Sequence, residues 1–202
     1  MAGEPGAPGL PLADFLFRTT PQMIAPILLT TMLLLAVCSD LDAYRIPNLL
    51  VACGALAALA ASMAPGGIGL GSALAGFFLG LLALLPLYAL RALGAGDVKL
   101  MAAVGAFIGP QALPLALLAT FIAGGLMTVL VSLYRGTARR LLRNVRDMLC
   151  SAWWRLACHE APLLEPTPVS AGKMPYALAI AVGAWCQLAL SGSPLAAWLQ
   201  PG

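Results

Sequence analysis

Charge is what this sequence has least of. Only 9% of its 202 residues are Asp, Glu, Lys or Arg, against 61% that are hydrophobic. A soluble domain needs far more charge to cover its surface. Histidine is nearly missing as well. The single His159 sits beside Glu160 with no partner at ligand spacing, and reads as a loop residue. The five cysteines (Cys38, Cys53, Cys150, Cys158 and Cys186) stand singly, so no CxxC pair suggests a zinc ribbon or a dithiol centre. GxSxG, HExxH and P-loop patterns are missing too. No metal and no cofactor is expected. The opening "MAGEPGAPGLPLADF" lacks a basic n-region, which argues against a cleavable signal peptide. Residues 1–20 are expected to form a disordered or surface-lying lead-in.

What the chain does have is long apolar runs. Stretches of about 20 apolar residues match a hydrocarbon core of roughly 30 Å, so the expected fold is an all-α polytopic membrane protein. The runs predict six transmembrane helices at 21–39, 48–64, 68–90, 98–110, 112–134 and 175–198. The fourth would reach only about 20 Å as a helix. It is kept because 98–134 is too long for one crossing and carries Gly109, Pro110 and Pro114. A reversal near Gly109-Pro110 returns the chain to the side it left. Six spans put Arg45, Arg91, Lys99, the Arg135–Arg155 cluster and Lys173 on one side, leaving only Arg18 of the eleven basic residues. The positive-inside rule makes that side cytoplasmic. Residues 21–198 are read as one domain.

Small residues at four-residue spacing (Ser72, Gly76, Gly80) and the Gly124-Gly125 pair predict close helix packing. Residues 135–173 form the largest polar insertion. Within 138–156, Ala138, Leu141, Leu142, Val145, Met148, Leu149, Ala152, Trp153 and Leu156 recur at helical spacing. Arg139, Arg140, Arg143, Asn144, Arg146 and Asp147 take the other face. Such a basic amphipathic helix suits an anionic leaflet, and nucleic acid is not expected as a partner.

Three of the five aspartates sit at span ends: Asp40 and Asp42 in "CSDLDAYRIPN" and Asp97 in "GAGDVKLM". On the six-span topology all three face the same cytoplasmic boundary. Ionisable groups at such places are functional candidates. Two carboxylates in a partly dry site share a proton, one serving as base and the other as acid. That pair activates a water for attack on a peptide carbonyl. A solvated helix end would equally account for Asp40 and Asp42 beside Arg45. An ordinary interhelical turn, its glycines supplying positive φ, would account for Gly94-Ala95-Gly96. A six-span carrier or assembly subunit using the same aspartates for ion or proton binding is the alternative function.

Three segments in order, "SDLDAYRIPNLL", "LGAGDVKLMAAVG" and "KMPYALAIAVGA", resemble the type IV prepilin peptidases, a family of GxGD aspartic membrane proteases. The resemblance covers about residues 25–195. It implies a catalytic pair at Asp40 and Asp97, since the first catalytic aspartate lies seven positions before the proline, here Pro47. It leaves Asp42 at a variable position, matches Lys99 to the family's lysine, and gives Gly94, Gly96, Pro47 and Asn48 supporting roles. Larger members carry a CxxC-containing domain and also N-methylate the product. The short form is similar to peptidases of tight-adherence (Flp-type) pili, which are expected to cleave without methylating. Archaeal preflagellin peptidases are of similar size. The implied substrate is a prepilin with a basic leader and a hydrophobic helix, cleaved at the cytoplasmic face of the bacterial inner membrane. Presenilin-type proteases share GxGD, but their first aspartate lies in a Tyr-Asp step, whereas Asp40 follows Ser39.

Overall fold

The computed structural model describes residues 12–43, 45–89, 93–136, 139, 143, 146, 150 and 176–191, with side chains from residue 24 onward. Among these, every regular element is helical: α1 (Leu12–Ala43), α2 (Asn48–Ser62), α3 (Leu70–Ala89), α4 (Ala95–Tyr134) and α5 (Ala177–Ser191). Three stretches are long and apolar enough to cross a membrane: Ile24–Ala43 of α1, α3 and α4. The outer surface agrees, since Ile27, Leu35, Phe78, Leu82, Ile122 and Leu126 are all exposed. A contiguous apolar exterior of this kind suits lipid rather than water. The protein is an integral membrane protein.

Helix α4 is two helices in sequence. Gly109 interrupts it with φ 79° and ψ 171°, a backbone conformation that only glycine adopts without strain. Pro110 follows and has no N–H to continue the ladder. The chain folds back here. Leu113 Cδ2 lies 3.4 Å from where a Cβ on Gly105 would stand, whereas a straight helix would hold these residues about 12 Å apart along its axis.

The two halves have different surroundings. From Leu100 to Ala106 every residue is buried, whichever way it points. Beyond the break only a stripe is buried (Leu113, Ala116, Thr120 and Gly124, at three- and four-residue steps, then Ser132). The first half is therefore the centre of the bundle and the second lies on its rim.

Glycines let the neighbours approach. Helix α3 runs antiparallel to the central half: a Cβ on Gly76 would strike the Gly105 carbonyl, and one on Gly80 would lie 2.7 Å from the Met101 carbonyl oxygen. Gly183 of α5 abuts the rim half at Ala116 and Thr120, and Gly54 of α2 receives the Met32 thioether of α1. Backbone-to-backbone contact of this kind replaces the hydrophobic drive that lipid cannot supply.

Several boundaries differ from the sequence reading. Helix α1 begins at Leu12, so helical backbone runs through part of the stretch read as a lead-in. Helix α4 starts at Ala95 rather than near 98, because the Gly94-to-Asp97 segment is already its first turn. Of the Gly124-Gly125 pair only Gly124 packs against another helix, and Gly125 faces open space. In the basic insertion Arg139, Arg143, Arg146 and Cys150 are helical and exposed. The apolar face expected at 138–156 lies outside the described residues, as do residues 1–11 and 192–202.

Candidate active site

Asp40 stands in the last turn of α1, where the negative end of the helix dipole makes a carboxylate unwelcome. Its position is explained by another helix. Asp40 Oδ2 accepts the Ala177 N–H at 3.0 Å in a buried hydrogen bond spanning 137 residues. Ala177 opens α5, so Asp40 satisfies one of the N–H groups that a helix start leaves without a partner. It also lies at the positive end of that dipole. Only 6% of the Asp40 surface is exposed, so the carboxylate needs this contact.

Asp97 is held locally. It is the third residue of α4, and its Oδ2 accepts the Gly94 N–H at 3.1 Å. This is the return half of a capping box, in which the third-position acid reaches back to the N-cap backbone. A Cβ on Gly94 would lie 3.1 Å from that oxygen, so a larger residue would crowd the carboxylate. Gly96 fits against Ile46, with 3.3 Å from its would-be Cβ to Ile46 Cβ. Neither glycine has positive φ, which argues against the alternative of an ordinary turn built on glycines in that conformation. Gly94 is extended at φ −78° and Gly96 is helical. Their value is the missing side chain.

The remaining predicted residues connect these two anchors. Ser39 Oγ donates to the Arg45 carbonyl at 2.8 Å, closing the loop after α1 and presenting Ile46 to Gly96. Pro47 caps α2 in an extended conformation, and its carbonyl accepts the Val51 N–H. Asn48 does not cap its own helix. Its Oδ1 instead accepts the Lys99 ammonium at 3.0 Å, joining the starts of α2 and α4. Lys99 therefore points toward α2. Asp42 is exposed, one turn-edge away from the buried Asp40.

Asp40 and Asp97 lie at the same end of the bundle: the loop that Ser39 closes just after Asp40 sets Ile46 against Gly96, the neighbour of Asp97. Tyr176, which precedes Ala177, is the residue that sequence reasoning missed. It lies in the segment KMPYALAIAVGA, where nothing local indicates that its ring settles on Gly124, 52 positions earlier.

Residues 27–129, about half of the chain and including both Asp40 and Asp97, match the Type IV leader peptidase family. The sequence is also similar to a prepilin leader peptidase/N-methyltransferase of Aeromonas hydrophila, at 34% identity over 119 residues. That alignment covers 55% of this chain and 41% of the relative, so the chain spans well under half of the curated protein it matches. No solved structure matches it. The matched stretch carries both acidic span ends and the GAGD turn between the central helices, and the chain belongs to the type IV leader peptidase family.

Proposed function

We propose that this protein is a prepilin leader peptidase in which Asp40 and Asp97 activate the attacking water. The observation that carries the reading is that both lie in the family-matching stretch and at one end of the bundle, where the loop after Asp40 packs on Gly96 beside Asp97. Each carboxylate has one oxygen occupied by a backbone N–H, from Ala177 or from Gly94. Fixing one oxygen orients the other toward a shared water. One aspartate takes the water's proton as its oxygen attacks the scissile carbonyl carbon. The other, holding the shared proton, protonates the carbonyl oxygen, and the proton taken from water passes to the leaving amine as the C–N bond breaks. The Lys99–Asn48 and Gly96–Ile46 contacts hold the starts of α2 and α4 against each other and so support the position of Asp97.

The substrate in this reading is a Flp-type prepilin with a basic leader and a hydrophobic helix. Its helix docks laterally against the apolar exterior, and its scissile bond reaches the aspartate end. Counting the halves of α4 separately gives six helical segments, which supports six crossings with the aspartates at the cytoplasmic face of the inner membrane. The exposed Arg139, Arg143 and Arg146, on one helical face, support contact between this region and the anionic leaflet. Cleavage proceeds without methylation. The test is co-expression with a Flp-type prepilin, followed by mass measurement of the product. Loss of the leader with an unmethylated new N-terminus is the expected result. An intact prepilin beside abundant protein would refute the reading.

A further inference from the structure

Tyr176 precedes α5 and holds its first turn, its carbonyl accepting the Ile180 N–H at 3.2 Å. The hydroxyl-bearing end of its ring lies against Gly124: a Cβ there would stand 2.7 Å from Cε2 and 3.1 Å from both Cζ and Oη. Any other residue at 124 would push the ring away. The fold-back at Gly109 gives this contact its meaning. Gly105 and Leu113 lie level, four residues either side of the break. At about 1.5 Å per residue, Gly124 comes level with the Gly94 end of the central half. The notch thus holds the Tyr176 hydroxyl at the depth of the GAGD turn, while the next residue donates its N–H to Asp40.

The ring is half-buried and packed on the core. The bond from the adjacent Ala177 N–H to Asp40 sets this residue at the aspartate end of the bundle. A phenol has an apolar ring that packs and a polar tip that donates. At this depth the tip is a donor for an acceptor on a bound substrate.

We propose that the Tyr176 hydroxyl is a third catalytic group of this site, donating a hydrogen bond to the scissile carbonyl oxygen as negative charge develops on it. The proposal rests on the peptidase reading above. The phenol keeps its proton throughout. The carbonyl π bond breaks as the water oxygen bonds to carbon, and the O–H dipole stabilises the electron pair moving onto oxygen until the second aspartate protonates it. The water proton goes to one aspartate, as before. Donors aimed at such an oxyanion contribute most in the transition state and little to ground-state binding.

The test uses Tyr176→Phe, which keeps the ring on Gly124 and removes only the hydroxyl. With purified full-length protein in lipid and a prepilin substrate, kcat is expected to fall by about 10- to 100-fold. KM and thermal stability should remain those of wild type. An unchanged kcat, or a loss confined to KM or to stability, would overturn the proposal and leave the aspartate mechanism standing. If wild type itself fails to cleave, the peptidase reading falls and this inference falls with it. Tyr176→Leu separates placement from chemistry. It should lower both activity and stability, whereas activity equal to wild type would again contradict the hydroxyl's role.

Discussion

Asp40 and Asp97 are two carboxylates at one end of the bundle, held in opposite ways. Asp97 caps the start of its own helix, three residues from its donor. Asp40 ends one helix and caps another that starts 137 residues later. The first arrangement is local, partly exposed, and complete once a single turn has formed. The second is buried and exists only after α1 and α5 have docked. One site thus combines a carboxylate positioned by secondary structure with one positioned by tertiary packing, and the two should fail differently.

The largest difference in stability should come from deleting each carboxylate. Asp40→Ala leaves the Ala177 N–H buried without an acceptor, which costs about 1–3 kcal/mol. Asp97→Ala removes a cap near the surface and should cost about 1 kcal/mol or less. Thermal unfolding of the detergent-solubilised variants measures both. Equal losses would show that the α1–α5 contact does not depend on the Asp40 carboxylate. The smallest effect is expected at the Lys99–Asn48 bond, which is exposed and links the two helix starts. Lys99→Met and Asn48→Ala should each slow cleavage by only about 2- to 5-fold. Their double variant should be no worse than either alone, since both remove the same contact. Additive losses would mean that Lys99 acts elsewhere.

The same contrast accounts for what the sequence made legible. Asp97 was legible as an acid at the start of a helix, but its cap was not, since the expected start near 98 left Gly94 to Gly96 outside the helix that they begin. The break at Gly109 was readable from a glycine before a proline inside an apolar run too long for one crossing. Asp40 was legible as an acid at a span end, seven positions before Pro47. Its partner was not, because a backbone N–H carries no sequence signature and α5 lies far along the chain. Tyr176 was hidden likewise, since only the fold-back brings Gly124 beneath its ring. The interhelical turn expected at Gly94–Gly96 is instead a helix start, with Gly94 as the cap and Gly96 in the first turn of α4. Their φ values are ordinary, and what matters is room for the Asp97 carboxylate and for Ile46. Contacts between segments distant in sequence are where local patterns stop informing.

The central claim is that Asp40 and Asp97 form one catalytic unit and that the neighbouring Asp42 does not belong to it. The most direct measurement is the cleavage rate of a Flp-type prepilin by Asp40→Asn, Asp97→Asn and Asp42→Asn, at matched membrane abundance. The first two replacements are nearly isosteric and keep an acceptor for the Ala177 and Gly94 N–H groups, so the fold should be retained. The account predicts that each of the two lowers the rate by about 10³-fold or more, the scale of acid–base catalysis, while Asp42→Asn cleaves close to the wild-type rate. Wild-type cleavage by either Asp40→Asn or Asp97→Asn would contradict it.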